Sequence, residues 1–209
     1  MLLKIPLSEQ QPAVYTWENQ NNETELLQVL AWQGRQLADF NQNYTHAKAR
    51  LTHLNSRCLL AALNLQIEKD ERGKPFLRDN HRFISISHNL FYSVVALHTQ
   101  PVGVDVETIS RRFEPIKAKF VDKQALIWAQ NLNKNQQTSF FSYYWAGKEA
   151  AYKLQGAKIA DFANMIAIEP FTPEKNTQTF VNMEKNATFA PCKLLFLPLG
   201  CNQLLALAY

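Results

Sequence analysis

Cysteine and long apolar runs are both scarce in this chain of 209 residues. Its three cysteines, Cys58, Cys192 and Cys201, are odd in number and widely spaced, without a CxxC pair, so they indicate neither a disulfide framework nor a zinc site. No stretch approaches the ~20 apolar residues that a membrane-spanning helix needs. Charges and prolines interrupt the N-terminal segment, unlike a secretory signal. The sequence therefore predicts a soluble, unprocessed cytoplasmic protein without a membrane partner.

Basic residues are too few and too scattered to indicate a nucleic-acid-binding protein. Lys and Arg number 22 against 18 Asp and Glu, a formal net charge of +4, and no Lys/Arg-rich run occurs. This mild basicity suits an acidic partner or a phosphorylated ligand. With 46% of its residues apolar, the chain can form one sizeable domain or two small, intimately packed subdomains.

Hydrophobic periodicity predicts a mixture of helices and short strands. Helical patterns cover 23–30, 36–63, 115–131 and 138–155, and Gly156 is the candidate C-terminal cap of the last. Strand patterns cover 83–87, 92–98, 102–107, 166–171, 179–183, 193–197 and 204–209. The first three strands are expected to form one sheet that ends at two carboxylates. This order predicts an α+β fold of two halves that meet at a packed interface near residue 105.

Two acidic motifs carry the functional signal. In the segment GVDVE, strand alternation places Asp105 and Glu107 on one face. In the segment WAGKEAAYK, Trp145, Glu149 and Lys153 recur at spacings of four and share one helix face. Three carboxylates beside a lysine are typical of a site for a hard divalent cation such as Mg²⁺ and a phosphorylated substrate.

Each motif also has an ordinary structural explanation. Glu149 and Lys153 can form a helix-surface ion pair, which is worth ~0.3–0.5 kcal/mol. Asp105 and Glu107 interrupt an apolar segment with two like charges, which repel unless a cation or solvent relieves them. The residues alone leave a structural role open for both motifs.

Four motifs resemble, in their order, those of the 4′-phosphopantetheinyl transferases. They are Gly73-Lys74-Pro75, Ile84-Ser85-Ile86-Ser87-His88, Gly103-Val104-Asp105-Val106-Glu107 and the segment from Trp145 to Lys153. Each motif alone is a weak signal, whereas four in the same order and at similar separations are specific. The resemblance covers about residues 48–171 and is to the monomeric, pseudo-dimeric type that includes the activator of surfactin synthetase.

The resemblance implies two similar α+β halves packed as a pseudo-dimer, each a small, mostly antiparallel sheet with a long helix. Residues 1–104 would form the half that contacts the phosphates of coenzyme A. Residues 105–209 would form the half with the metal-binding helix. The active site would lie at the interface of a chain that acts as a monomer.

The resemblance further implies a holo-[acyl-carrier-protein] synthase. Such an enzyme moves the 4′-phosphopantetheine arm of coenzyme A onto a serine of an apo acyl or peptidyl carrier protein and releases adenosine 3′,5′-bisphosphate. Asp105, Glu107 and Glu149 would hold Mg²⁺, or Mn²⁺, against the diphosphate. Glu149, or a water that it orients, would accept the serine proton, and Lys153 would stabilise or protonate the departing bisphosphate. The sequence leaves open whether the carrier serves fatty-acid, polyketide or nonribosomal peptide synthesis.

Contacts with coenzyme A are implied for four further residues, Arg57, Lys74, Ser87 and His88. Lys and Arg side chains are good donors to phosphate. A histidine at a strand end is more often a satisfied structural residue than a ligand, and this is the alternative for His88. Lys48 and Arg50 are additional candidates.

One departure from the family pattern lies in the segment before the helix that carries Glu149 and Lys153. Ala125 stands where many relatives carry an acidic residue, and Asp122 of the preceding turn is a candidate to replace it. The departure supports an alternative function, that of a catalytically weak protein of the same fold that binds coenzyme A or a carrier protein.

Overall fold

The computed structural model describes residues 1–78, 81–109, 113, 115–156, 161–183 and 191–209. The helices are α1 (Glu23–Leu30), α2 (Gly34–Asn43), α3 (Ala47–Ala62), α4 (Lys123–Gln130), α5 (Lys134–Gln155) and α6 (Phe162–Met165), with a short 3-10 helix at Lys117–Lys119. The strands are β1 (Leu2–Ile5), β2 (Ala13–Glu18), β3 (Ile67–Lys69), β4 (Pro75–Leu77), β5 (Phe83–His88), β6 (Tyr92–His98), β7 (Gly103–Thr108), β8 (Ile166–Ile168), β9 (Gln178–Met183), β10 (Cys192–Leu199) and β11 (Gln203–Ala208). Within these residues no helix combines the length and the apolar character that crossing a bilayer requires.

Two antiparallel sheets and a separate hairpin organise the strands. The first sheet has the order β1-β2-β6-β5, the second has the order β7-β11-β10-β9-β8, and β3 pairs with β4. The helix α3 packs against β6 and β2, while α5 packs against β7, β11, β8 and β10. The predicted α+β class with antiparallel sheets is confirmed. The pseudo-dimeric relation between the halves stays a prediction.

The alternation predicted for β7 is confirmed by what its side chains touch. Val104 and Val106 belong to a buried apolar cluster to which strands of both sheets contribute. Asp105 and Glu107, on the opposite face, form hydrogen bonds with side chains of α5. The strand therefore has an apolar face toward the core and an acidic face toward α5.

The prediction that the first three strand patterns form one sheet is wrong for the third. The strands β5 and β6 pair with each other, but β7 pairs with β11, so that Asp105 lies opposite Ala206. The predicted division between residues 104 and 105 consequently falls inside β7. Strand pairing assigns the whole of this strand to the second sheet.

Serine hydroxyl groups connect the two sheets where β5 meets β7. The Val104 amide donates a hydrogen bond to Ser85 Oγ (3.0 Å), and the Val106 amide donates one to Ser87 Oγ (3.2 Å). Because buried backbone amides need an acceptor, these hydroxyl groups satisfy amides of β7 that β11 does not. The alternating Ile-Ser-Ile-Ser pattern of β5 supplies both acceptors from one face.

Glycines allow α5 to lie directly on the second sheet. A Cβ atom on Gly103 would lie 1.9 Å from the Ala150 carbonyl oxygen and 2.6 Å from Leu154 N. A Cβ atom on Gly147 would lie 2.8 Å from Leu194 Cδ2. The separations at Gly103 are too short for any side chain, so this glycine sets how closely β7 and α5 approach. Gly147 lets α5 lie close to β10 instead.

Helix boundaries differ in part from the predictions. Gly156 caps α5 in the left-handed conformation (φ 65°), as predicted, but the helix begins earlier, where Asn133 and Gln136 form a capping box. The helical pattern over 36–63 corresponds to two helices, α2 and α3, and the pattern over 115–131 to the 3-10 helix followed by α4. The four predicted strands after α5 correspond to β8, β9, β10 and β11, whereas no strand pattern predicted β1, β2, β3 or β4.

Candidate active site

An open cavity of about 1060 Å³ lies between α3, the β3–β4 hairpin and the strand with the two acidic residues. Its acidic, basic and histidine lining residues are His46, Lys48, His53, Arg57, Lys69, His88, Asp105 and Glu107. The basic residues lie mainly along α3 and at the end of β3, and the carboxylates lie on β7. A cavity of this size, with cations on one side and carboxylates on another, suits an extended polyanion bound together with a divalent cation.

Asp105 is the most buried acidic residue of the cavity, with 5% of its surface exposed. Its Oδ1 accepts hydrogen bonds from Lys153 Nζ (2.7 Å) and Ser87 Oγ (2.8 Å). Its Oδ2 is buried and accepts a hydrogen bond from none of the described residues. Leaving a buried polar atom unpaired costs ~1–3 kcal/mol, so such an oxygen in a cavity wall indicates a site for a cation or a water molecule.

The other two predicted metal ligands lie on β7 and on α5. Glu107 Oε1 accepts a hydrogen bond from Trp145 Nε1 at 2.8 Å. Glu149 is partly buried and lies midway between Trp145 and Lys153, both of which contact β7, so helix geometry directs it to the same strand. Among the described residues no three His, Cys, Asp or Glu side chains are gathered closely enough to hold a metal ion. The assignment of Asp105, Glu107 and Glu149 to a metal stays a prediction.

Lys153 connects α5 to the acidic strand. Its ammonium group donates to Asp105 Oδ1 (2.7 Å), Ser87 Oγ (3.1 Å) and the Val104 carbonyl oxygen (3.2 Å). Its side chain is 27% exposed. The three N–H donors therefore all have partners within the protein, and the ion pair of Lys153 crosses from the helix to β7. Its predicted role toward the leaving group stays a prediction.

Ser87 and His88, at the end of β5, differ in their surroundings. Ser87 is buried and contacts Asp105 and Lys153, whereas His88 has an exposed edge and lines the cavity. Removal of water by the surrounding protein holds the pKa of His88 below its ordinary value of 6.5, and the charge of Lys153 acts in the same direction. His88 is therefore placed to meet a ligand of the cavity.

Arg57 and Lys48 line the cavity from α3, and their contact with coenzyme A phosphates stays a prediction. The Arg57 guanidinium forms no hydrogen bond or ion pair with another described residue, so its donors can meet a ligand. Lys69, at the end of β3, lines the same cavity and was not predicted. Lys69 lies next to a turn, and the sequence carries no signal that this turn folds toward α3.

Arg50, the additional candidate on α3, is held elsewhere. Its guanidinium donates to both carboxylate oxygens of Glu23, at 2.6–3.1 Å, and to the Tyr44 carbonyl oxygen. It also lies over the Phe40 ring, 4.3 Å from the ring centre. These contacts fasten α3 to α1 and α2, so the structure gives Arg50 a structural role.

Lys74 is separated from the other predicted coenzyme A contacts. Its Nζ donates to the Leu154 carbonyl oxygen (3.0 Å) at the C-terminal end of α5, where the helix dipole favours a cation. A Cβ atom on Gly156 would lie 2.6 Å from this nitrogen, and burial lowers the pKa of Lys74. The side chain lines a second cavity of about 240 Å³. In this structure Lys74 joins the hairpin to α5 and does not line the large cavity.

Asp122, the candidate replacement for the missing acid, forms structural hydrogen bonds away from the cavity. Its Oδ1 accepts a hydrogen bond from the Ala125 amide (2.8 Å) and so caps α4, while its Oδ2 accepts one from the Tyr144 hydroxyl group. Ala125 itself is buried in the apolar core. These contacts explain both residues by packing and capping, without a role in the cavity.

Lys148, the first lysine of the second motif, is fully buried, a position that the sequence did not predict. Its ammonium donates to the carbonyl oxygens of Phe162 and Ala163 and lies 3.7 Å from Asp122 Oδ2. Burial lowers its pKa to about 8, although the charge of Asp122 opposes the shift. The lysine therefore anchors α6 and the start of α4 to α5.

His53 is an ionisable cavity residue that the motifs did not indicate. Its ring lies 4.2 Å from that of Tyr44, measured between centres. Burial lowers its pKa from 6.5 to about 4, and the nearby charges of Arg57, Lys69 and His88 act in the same direction. The residue is thus neutral in the native protein at neutral pH.

Replacing His53 by phenylalanine is expected to remove a pH-dependent loss of stability. Between pH 6.5 and 4, His53 is protonated in the unfolded chain but stays neutral in the native protein. The free energy of unfolding therefore falls as the pH falls through this range. We compare the free energies of unfolding of the unaltered protein and His53→Phe. Their difference is expected to change by about 2 kcal/mol between pH 7 and pH 4.5, allowing for solvent access. Urea unfolding at several pH values measures it. Parallel pH profiles of the two proteins would contradict the assignment.

A family model for the 4′-phosphopantetheinyl transferase superfamily matches residues 101–201. This segment extends from β7 to the turn after β10 and contains both acidic motifs. The predicted metal and catalytic residues Asp105, Glu107, Glu149 and Lys153 all lie within it.

Curated relatives carry the same family name. The chain is 35% identical over 119 residues to the 4′-phosphopantetheinyl transferase gsp of Aneurinibacillus migulanus, which covers 56% of this chain and 48% of the relative. It is 24% identical over 130 residues to Sfp of Bacillus subtilis (strain 168), covering 62% and 56%. It is 27% identical over 119 residues to HetI of Nostoc sp. (strain PCC 7120), covering 53% and 50%. The chain spans about half the length of these relatives. The matched segment, residues 101–201, thus carries the 4′-phosphopantetheinyl transferase family signature, which confirms the family that the four motifs predicted.

Proposed function

We propose that this protein transfers the 4′-phosphopantetheine group of coenzyme A to a serine of an apo acyl or peptidyl carrier protein and releases adenosine 3′,5′-bisphosphate. The observation that carries the proposal is the large cavity, whose basic wall includes Arg57 and Lys69 and whose other wall includes Asp105 and Glu107. The names of the relatives support the reaction. We further propose a monomer that acts in the cytoplasm, with halves 1–104 and 105–209 meeting at the site.

The reaction displaces one phosphate oxygen by another. The serine oxygen bonds to the phosphorus next to pantetheine, and the bond from this phosphorus to the bridging oxygen breaks, leaving its electron pair on the bisphosphate. Glu149, or a water that it orients, would take the serine proton. Lys153 would stabilise charge on the departing bisphosphate, and the basic wall would hold its remaining phosphates.

The acidic residues fit a divalent cation by their chemistry. Asp105 Oδ2 is buried and accepts no hydrogen bond from the described residues, so its lone pairs remain for a ligand. Carboxylate oxygens suit both Mg²⁺ and Mn²⁺, and we assign Asp105, Glu107 and Glu149 to hold the ion. When bound, it would neutralise charge on the diphosphate oxygens.

Replacing Arg57 by glutamine is expected to weaken the binding of coenzyme A by about 10- to 100-fold, because a hydrogen bond from a charged donor contributes ~1.5–3 kcal/mol. Isothermal titration with coenzyme A measures the dissociation constant. The matched control is Arg35→Gln, since the Arg35 side chain is 94% exposed and pairs with Asp39 alone among the described residues. Equal affinities of the two variants would remove Arg57 from the ligand site.

The proposed activity is tested by intact-protein mass spectrometry of an apo acyl carrier protein incubated with coenzyme A, Mg²⁺ and this protein. We expect a mass gain of one phosphopantetheine, which is lost with Glu149→Ala and with a chelator. If several acyl and peptidyl carrier proteins stay apo while coenzyme A binds, the alternative of a binding protein is favoured. Ala125, at the position where relatives carry an acid, would then be the first residue to change back.

A further inference from the structure

Two serines of β5 make the same contact with the neighbouring strand but differ in their other hydrogen bonds. Ser85 Oγ and Ser87 Oγ each accept a hydrogen bond from an amide of β7. Both serines are buried, with 3% and 5% of their surface exposed. Of the two, Ser87 also forms hydrogen bonds with side chains of the candidate active site, Asp105 and Lys153.

The hydrogen-bonding capacity of Ser87 is used up within the protein. Its hydroxyl group donates to Asp105 Oδ1 (2.8 Å) and accepts from Lys153 Nζ (3.1 Å) and the Val106 amide (3.2 Å). A serine hydroxyl offers one donor and two acceptor lone pairs. A phosphate oxygen requires a donor, and the single donor of Ser87 already serves Asp105. The contact with coenzyme A that the family resemblance implies for this side chain stays a prediction.

The hydrogen bonds to Asp105 distinguish its two oxygens. Ser87 and Lys153 both hold Oδ1, whereas Oδ2 is buried and accepts no hydrogen bond from a described residue. The terminal torsion of an aspartate is soft, so its carboxylate turns readily unless neighbours fix it. Ser87 approaches from β5 and Lys153 from α5, and together they fix this torsion from two directions.

We propose that Ser87 is a positioning residue, which holds Asp105 through Oδ1 so that Oδ2 is presented to a divalent cation. The inference rests on the proposed function only in that the carboxylates bind such an ion. In this role Ser87 acts on the ion through Asp105. Outer hydrogen-bonding partners of metal ligands typically change metal affinity by about 10- to 100-fold when they are removed.

Binding of Mn²⁺ to the purified protein, followed by the electron paramagnetic resonance of the free ion, tests this role without turnover. We expect Ser87→Ala to weaken binding by about 10- to 100-fold and Ser85→Ala to change it less than about 3-fold. Ser85→Ala is the matched control, because it removes the same kind of amide acceptor two residues away. Ser87→Thr retains a hydroxyl group and is expected to recover part of the affinity.

Each other outcome overturns the proposal in a distinguishable way. Equal weakening by Ser85→Ala and Ser87→Ala would show that both serines serve only the contact between strands. Unchanged affinity in Ser87→Ala would show that Asp105 binds the ion without being oriented by Ser87, and the proposed metal site would stand. Failure of the unaltered protein to bind Mn²⁺ would overturn the metal assignment and the positioning role together. A protein that binds Mn²⁺ with the expected pattern but transfers nothing would retain the role of Ser87 and reject the transferase function.

Discussion

Asp105→Asn is expected to lower phosphopantetheine transfer at least ~100-fold, which is the loss typical of removing one group that stabilises developing charge. Asparagine keeps the size of the side chain and an acceptor for Ser87 and Lys153. It replaces a carboxylate oxygen by an amide and removes the charge that would hold a cation. The loss should therefore arise from the chemistry of the site and not from its packing.

Mass spectrometry of the carrier protein over time measures this loss, and thermal unfolding with and without Mg²⁺ accompanies it. Anything that binds the native state alone raises the melting temperature, so Mg²⁺ should stabilise the unaltered protein and leave Asp105→Asn unaffected. Glu9→Gln is the control for charge, since Glu9 is exposed and outside the cavity lining. Retention of more than about a tenth of the activity by Asp105→Asn would exclude Asp105 as a metal ligand.

Gly103→Ala adds one methyl group to β7, and we expect it to destabilise the protein more than a methyl group added elsewhere on this strand. The new Cβ would lie 1.9 Å from the Ala150 carbonyl oxygen, and a backbone atom within a helix cannot move aside alone. We expect a loss of about 3 kcal/mol or more in the free energy of unfolding. For a chain of this size that corresponds to a fall of roughly 6–12 °C in melting temperature.

The same substitution should also impair function in the molecules that still fold. Separating β7 from α5 moves Asp105 and Glu107 away from Glu149 and Lys153. The control is Gly34→Ala, which meets no atom within 4 Å and introduces only the strain of its positive φ of 51°. Calorimetry and the transfer assay compare the two variants. A Gly103→Ala protein as stable as Gly34→Ala would show that the packing of α5 on β7 is looser than described.

Local periodicity was sufficient to predict the faces of β7 and α5 that meet at the candidate site. Alternation along a strand and the spacing of four along a helix depend only on backbone geometry, so Asp105 and Glu107 share a face, and Trp145 and Lys153 both reach β7. Conformational preference likewise predicted Gly156 as the cap of α5. Each of these predictions concerns residues that are close along the chain.

Contacts between distant segments could not be predicted in the same way. Arg50 and Arg57 lie two turns apart on α3 and are equivalent by helical periodicity alone. The pairing of Arg50 with the distant Glu23 holds it away from the cavity that Arg57 lines. Lys74 meets the end of α5 because the hairpin folds over it. The partner of β7 is a further example, since alternation states which face is buried but not which strand lies alongside.

The pairing of β7 with β11 makes the acidic site a late product of protein synthesis. Asp105 lies opposite Ala206, about one hundred residues downstream, which a ribosome adding 5–20 residues per second needs roughly 5–20 s to translate. During that time Ser85 and Ser87 can already meet one edge of β7, while the edge that β11 will cover remains open to other chains. In a nascent chain, Asp105 and Glu107 are therefore synthesised before the strand that pairs with β7. Slowing translation between β7 and β11 would lengthen the time during which the open edge of β7 can aggregate.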